Sequence, residues 1–320
     1  MGFAPRRYNP GMRTALPVMA VVITLAALTH AQPARESRKV VVAHRGASSY
    51  APEHTIAAYR LAILQRTDYV EQDLAVTKDG QLICLHDDSL ERTSNVASVF
   101  PDRFAVGTGG RRGPVKQWIA NDFTLAEIKQ LDAGRWFDPK FAGERIPTWQ
   151  EAIDFVRATP GMGMYPELKS PPLYTGRGVD MVKLFVESVK KNGLDQPESL
   201  RTTPIILQSF DEPTVRRLAK ELPGIPRVLL MGSFPQNGMT DARLREIKTF
   251  ADGIAPAKEL VAKEPDVVKR AHAAGLTVTA YTFRASNTGP FPNVHAEMAH
   301  FLNTLGIDAL FTDNPDRFPR

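Results

Sequence analysis

From residue 40 onward the chain alternates short β-branched apolar runs with longer amphipathic stretches, and that rhythm constrains the fold more than any other feature. The runs fall at 40–43, 69–76, 82–85, 163–167, 205–208, 227–230, 253–255, 277–281 and 309–312. Strands that are apolar nearly throughout, with a helix after each, predict a parallel sheet covered by helices. The helices are punctuated legibly. Thr124-x-x-Glu127 and Thr148-x-x-Glu151 are capping-box sequences, and Gly193, Gly275 and Gly306 each follow a helical run where a left-handed residue ends it.

Nine runs are one too many for an eight-stranded barrel, and the surplus one can be identified. Runs 69–76 and 82–85 are joined mainly by Thr77-Lys78-Asp79-Gly80. So short a link joins antiparallel strands, because a parallel crossover needs a dozen residues or more. The third run is therefore the return arm of a hairpin, which leaves eight parallel strands for a (β/α)8 barrel. The stretch 93–122 breaks the rhythm. It is rich in Gly and Arg, lacks the Gly-Lys-Ser/Thr of a phosphate-cradling loop, and reads as an insertion over the barrel mouth.

Residues 1–31 stand apart from this domain. Arg6, Arg7 and Arg13 precede an apolar run from 14 to 28 that Pro17 interrupts, and small residues follow near Ala31. That is the three-part pattern of a signal peptide, and the run is short of the ~20 residues a spanning helix needs. The expectation is an exported protein, periplasmic or secreted, with no stable membrane span after cleavage. A linker at 32–39 would lead into a catalytic domain at 40–320. The leader also carries part of the positive charge. The chain has 40 Lys and Arg against 35 Asp and Glu, and three of those arginines precede residue 32 while no acid does. The remaining basic residues are scattered without interleaved aromatics, which argues against a nucleic-acid partner. Cys84 is the one cysteine, so no intrachain disulfide exists, and its apolar run predicts a buried thiol.

Polar residues gather where the strands end, the position at which barrels build active sites. The first run ends in His44-Arg45, the second carries Glu71 and Asp73 on one face, and the hairpin return leads to His86-Asp87. Glu167 and Lys169 share a face of the next strand. A two-residue turn at Asp79-Gly80 sets Asp73 opposite His86, whereas one at Lys78-Asp79 sets Glu71 there. Either register puts the imidazole beside the acids. Glu71, Asp73 and Glu167, with no sulfur nearby, suit a hard cation such as Ca2+ or Mg2+. The competing reading makes Glu167 and Lys169 an ion pair inside the barrel. Two histidines suit acid–base work, Arg45 suits a bidentate grip on a phosphate oxygen, and Lys169 adds a second charge. His272, His295 and His300 fall on expected helices and read as surface or packing residues. These side chains describe metal-assisted chemistry on an anionic, phosphate-bearing substrate.

His44-Arg45-Gly46-Ala47, Pro52-Glu53-His54-Thr55, Glu71-x-Asp73, Thr77-Lys78-Asp79-Gly80, His86-Asp87, Glu167-x-Lys169, Gln208-Ser209-Phe210, Tyr281-Thr282-Phe283 and Thr312-Asp313 follow one another in this order. In that succession the chain resembles the glycerophosphodiester phosphodiesterases, most closely the bacterial periplasmic type. The resemblance implies a distorted (β/α)8 barrel of the triosephosphate-isomerase type that cuts glycerophosphodiesters to sn-glycerol 3-phosphate and an alcohol. It implies that Glu71, Asp73 and Glu167 hold a divalent metal, Ca2+ or Mg2+, and that His44 and His86 are the general base and acid. Arg45 would bind phosphate, supported by Glu53 and Lys169, and Tyr281 and Phe283 would line the substrate pocket. His54 stands where the wider family carries Asn, Tyr281 where many members carry Trp, and Phe283 where many carry Val. The attacking group is either the glycerol 2-hydroxyl, through a cyclic phosphate, or water. The alternative activity is a phospholipase acting on lysophospholipid or phosphoinositide headgroups, which needs an apolar rim; Phe100, Phe104 and Trp118 are the candidates, with arginines between them. A binding protein on a decayed barrel would have lost a histidine or a carboxylate, and all are present.

Overall fold

Eight parallel strands close on themselves because the first pairs on both sides. A computed structural model describes residues 1–4, 38–108 and 113–320. Most of the expected leader and of the linker lies outside the described residues, as do 109–112 of the Gly/Arg run. Strand β1 (Val40–Ala43) pairs in parallel with β2 (Tyr69–Val76). The return strand β3 (Leu82–Cys84) follows, and β4 (Ala105–Gly107) and β5 (Val115–Gln117) form a separate two-stranded ribbon. The barrel continues with β6 (Gly163–Leu168), β7 (Leu207–Ser209), β8 (Arg227–Met231) and β9 (Gly253–Pro256). It ends with β10 (Thr277–Phe283) and β11 (Ala309–Thr312), and β11 returns to pair with β1 along Val40↔Ala309 to Ala43↔Thr312. Residues Arg38–Arg320 make one compact unit.

Period-two alternation decides which side chains fill the barrel. Val42, Tyr165, Val228, Leu230, Ala255 and Phe311 form a small interior cluster, with the Tyr165 and Phe311 rings edge to face at 5.0 Å. The opposite faces pack against the helices in two larger apolar clusters. Two residues beyond Val42, Tyr165 and Phe311 stand His44, Glu167 and Asp313, polar groups of the mouth. The expected capping boxes at Thr124 and Thr148 both form, and Gly193, Gly275 and Gly306 adopt φ of 59°, 79° and 82°. Cys84 is buried, and burial pushes its thiol up to about 12.

The hairpin follows neither expected register. β3 pairs with β2 as Leu74↔Cys84, Ala75↔Ile83 and Val76↔Leu82. The loop is three residues, Lys78-Asp79-Gly80, closed by the Thr77 amide donating to the Gln81 carbonyl at 2.9 Å, with Gly80 at φ 76°. Three-residue hairpin loops need such a left-handed last residue. Continued regularly, this register would set His86 opposite Gln72, on the wrong face. The strand stops at Cys84 instead, and the chain turns inward.

The insertion 93–122 packs beside the hairpin. It holds a short helix at Val96–Val99, the β4–β5 ribbon and a turn at Ala120–Asp122. The buried Asn121 amide donates to the Val76 and Thr77 carbonyls, each at 3.0 Å, and so satisfies the end of β2. None of its described residues lines the mouth cavity. His272 and His295 lie on helices Asp266–Ala273 and Val294–Ala299, and His300 opens a π-helical turn after the latter. Among the described residues no helix is long and apolar enough to cross a membrane.

Candidate active site

The loop after β1 is shaped by residues that few side chains could replace. Arg45 and His54 both sit at φ 57°, and Gly46 at φ 84°. A Cβ on Gly46 would lie 2.7 Å from the Ala58 carbonyl carbon, so glycine alone allows the loop to cross the following helix there. The Arg45 amide donates to Glu71 Oε2 at 2.6 Å and the His54 amide to the Arg45 carbonyl at 3.0 Å. These bonds hold both residues in a left-handed conformation that costs about 1–3 kcal/mol each.

His44, Arg45, Glu71, Asp73, His86, Glu167, Lys169 and Tyr281 all line one cavity of about 170 Å³ at the C-terminal end of the barrel strands. Asp73 and Glu167 are direct neighbours across β2 and β6, and Lys169 Nζ lies 3.1 Å from Glu167 Oε1 and 4.0 Å from Asp73 Oδ1. Two expected residues lie off the cavity. Glu53 supports the site from behind, accepting from Arg45 Nη1 at 2.9 Å. Phe283 does not line the cavity; it is 0 % exposed and packs edge to face on Phe301 at 5.0 Å. The pairing of β10 with β11 shifts register between Ala280 and Phe283, so Phe283 no longer shares the face of Tyr281.

Each imidazole is oriented by a carboxylate. His44 Nδ1 lies 2.6 Å from Asp313 Oδ1, and His86 Nδ1 lies 2.6 Å from Asp87 Oδ1. An ionised carboxylate only accepts, so each Nδ1 carries the proton and Nε2 is left for the cavity. Arg284 Nε holds the other oxygen of Asp313 at 2.8 Å. Burial, and then the Arg45 charge, depress the His44 imidazole to about 4 despite Asp313, so the ring is neutral at pH 7.

Burial alone would raise every carboxylate in the site, and their neighbours sort them. Glu71 and Glu167 are pushed well above the usual range by burial and then by the charge of Asp73. Asp73 is held well below it because the hydrogen bond from His54, then Lys169 and Arg45, outweigh its burial. Glu53 is held at about 2 against its burial by Arg92 and Arg45. Within this group four cations, Arg45, Arg92, Lys169 and Arg284, face six carboxylates, Glu53, Glu71, Asp73, Asp87, Glu167 and Asp313. The surplus of two carboxyl groups over cations, all of them oxygen donors, fits a hard divalent cation. His54, Glu71 and Asp73 each offer a donor atom within 4.8 Å of the others; Glu167 is not part of that group and neighbours Asp73 across β2 and β6. His54 is already committed, with Nε2 2.9 Å from Asp73 Oδ2 and Nδ1 3.0 Å from the Tyr59 hydroxyl.

Several contributors, Asp87 and Arg284 among them, carry no legible role in the sequence. His54 reads there only as a motif variant, and its contact with Asp73 gives the change meaning. Asp313 and Phe210 stand in the Thr312-Asp313 and Gln208-Ser209-Phe210 motifs, and Phe210 stacks edge to face on Tyr281 at 5.9 Å on the cavity wall. Arg92 carried no signal beyond following His86-Asp87 by a few residues.

A closed parallel barrel whose mouth sets two carboxylate-held imidazoles against an acid cluster and an arginine defines an enzyme of anionic ester chemistry. The sequence model of the glycerophosphoryl diester phosphodiesterase family matches residues 44–317, and the chain belongs to that family. It is a phosphoric diester hydrolase. It is 36 % identical over 289 residues to the glycerophosphodiester phosphodiesterase of Bacillus subtilis (strain 168), covering 88 % of this chain and 85 % of that one. To the glycerophosphodiester phosphodiesterase of Haemophilus influenzae it is 30 % identical, covering 88 % and 89 %. The structure of an Oleispira antarctica phosphodiesterase in complex with the product sn-glycerol-3-phosphate superimposes with a TM-score of 0.67 at 28 % identity, covering 87 % of this chain and 94 % of that one.

Proposed function

We propose that this enzyme hydrolyses glycerophosphodiesters to sn-glycerol 3-phosphate and an alcohol, with a divalent metal, His44 as general base and His86 as general acid. The observation that carries the reading is the convergence of both imidazoles, Arg45 and three carboxylates on one cavity. Glu71, Asp73 and Glu167 would hold Ca2+ or Mg2+, which when bound neutralises the acid cluster and stabilises negative charge on the phosphoryl group. Arg45, which lines the cavity with Nη1 on Glu53 and Nε 3.4 Å from Asp73 Oδ2, binds a phosphate oxygen. His44, neutral and fixed by Asp313, takes the proton from the attacking hydroxyl at Nε2. His86, fixed by Asp87, delivers a proton from Nε2 to the departing alcohol oxygen. Tyr281 and Phe210 form the aromatic wall, with the Tyr281 hydroxyl anchored to the Met231 carbonyl at 2.9 Å.

The phospholipase alternative loses its apolar rim. Trp118 is buried and donates to the Phe100 carbonyl at 2.7 Å, while the Phe104 ring packs on it at 5.6 Å. The direct test incubates the purified enzyme with glycerophosphocholine, glycerophosphoethanolamine, glycerophosphoinositol and lysophosphatidylcholine, and measures sn-glycerol 3-phosphate from the first three and free choline from the last. Release from the first three is expected. Cleavage of lysophosphatidylcholine alone would replace this reading with the phospholipase.

The depressed His44 imidazole gives a pH prediction. A base works only unprotonated, so its contribution is present above its pKa and lost as pH falls through it. The acidic limb of kcat/KM should lie near pH 4 rather than at the ordinary imidazole value of 6.5. A limb at 6.5 that vanishes in His44→Ala would contradict the neutral, buried base.

A further inference from the structure

We infer that Arg92 is a positioning residue that ties the proton-delivering imidazole to the phosphate grip, an inference that rests on the roles proposed for His86 and Arg45. Arg92 leaves the end of the hairpin arm just before the insertion, and its guanidinium spans two acids. Its Nη1 and Nη2 donate to Glu53 Oε2 and Oε1 at 2.8 and 2.7 Å, and its Nε donates to Asp87 Oδ2 at 2.5 Å. Each acid passes the connection on. Glu53 Oε1 accepts from Arg45 Nη1 at 2.9 Å, and Asp87 Oδ1 holds His86 Nδ1 at 2.6 Å. The result is one continuous chain from Arg45 through Glu53, Arg92 and Asp87 to His86.

The geometry serves two purposes. A planar guanidinium with donors in a fixed fork sets the distance and angle between Glu53 and Asp87, which a lysine's single ammonium cannot do. It also keeps Glu53 from spending its charge on Arg45 alone. Glu53 shares its oxygens between two guanidinium groups, so Arg45 retains attraction for a substrate anion. The Arg92 side chain is 43 % exposed, against 12 % for Glu53 and 13 % for Arg45, so the clamp closes the network from its solvent side. Its neighbours make it more than a surface pair, since each acid it binds is bonded directly to a group that faces the substrate.

The test combines Arg92→Ala, His86→Ala and the double variant, with kcat on glycerophosphocholine and the inhibition constant of sn-glycerol 3-phosphate as readouts. Loss of such outer partners typically costs 10–100-fold. Arg92→Ala should lower kcat by about that factor and weaken sn-glycerol 3-phosphate binding several-fold, with an unchanged circular dichroism spectrum. In the His86→Ala background, Arg92→Ala should leave kcat unaltered yet still weaken product binding. Added guanidinium should restore part of the Arg92→Ala rate, since the site is open to solvent. Arg103→Ala, which breaks an exposed pair with Glu127 away from the cavity, should behave as wild type. Should Arg92→Ala fail to fold, Arg92→Lys takes its place, with the same split expected at smaller size. Wild-type kcat and product binding in the Arg92 variant, while His86→Ala is crippled, would overturn this inference alone, as would equal kcat losses in both backgrounds. A wild-type rate in His86→Ala would instead refute the proposed acid, and the route through His86 with it.

Discussion

Excess EDTA is expected to silence hydrolysis by about three orders of magnitude, and Ca2+ or Mg2+ to restore it. Lewis-acid stabilisation at a phosphoryl oxygen contributes several kcal/mol, and each 1.36 kcal/mol is tenfold in rate. The prediction follows from charge balance rather than from any one ligand. Glu71, Asp73 and Glu167 lie buried with more carboxyl groups than cations around them, and burial with the charge of Asp73 pushes Glu71 and Glu167 well above the usual range. A substrate that is itself an anion makes the excess worse unless a cation enters. Binding the cation should therefore release protons and strengthen as pH rises through the raised range of these carboxyls. A second readout is independent of turnover. At about a hundred times its Kd a metal stabilises the fold by roughly 2.7 kcal/mol, so chelation should lower Tm measurably. Full activity and an unchanged Tm in excess chelator would sink the metal assignment.

Replacing either imidazole should cost roughly 10²- to 10⁴-fold in kcat with the fold intact, and the leaving group tells the two apart. Protonation matters when the departing group is a basic alkoxide and hardly at all when it is a stable phenolate. His86→Ala should therefore be crippled on glycerophosphocholine but close to wild type on a p-nitrophenyl ester of glycerol phosphate. His44→Ala should be slow on both, because the attacking hydroxyl must lose its proton whatever leaves. The opposite pattern would exchange the roles of the two histidines, and normal rates for both variants on glycerophosphocholine would end the acid–base scheme. The assignment of His44 as base draws on its burial and on the adjacent Arg45, both of which disfavour the imidazolium.

The strands are legible because each is an apolar run nearly throughout, and the hairpin is legible because its link is too short for a crossover. What sequence could not supply was the loop's hydrogen bonding. The Thr77 hydroxyl donates to Asp79 Oδ1 at 2.6 Å and accepts from the Gln81 amide at 2.9 Å. Those bonds fit the three-residue loop, and with it a register that neither two-residue turn allows. His86 reached the cavity all the same, through a break in the strand. Phe283 failed for a related reason: strict alternation assigns it to the face of Tyr281, and an irregularity in the β10–β11 ladder is invisible in a list of residues. Glu71, Asp73 and Glu167 were readable because acids in otherwise apolar strands are conspicuous. Arg92 and Asp313 were not, since their meaning lies wholly in partners that folding brings to them.

The pairing of the first barrel strand with the last has a bearing on biosynthesis. Every proposed metal ligand, both imidazoles and both phosphate-side cations have left the ribosome by residue 169, little more than halfway along the polypeptide. The carboxylate that aims His44 emerges 269 positions after it, on the strand that shuts the ring. A nascent or prematurely terminated product thus holds all the reacting groups while lacking the orientation that makes them a hydrolase. On the proposed roles, esterolytic competence would arrive only once that last strand and the carboxylate after it are in place.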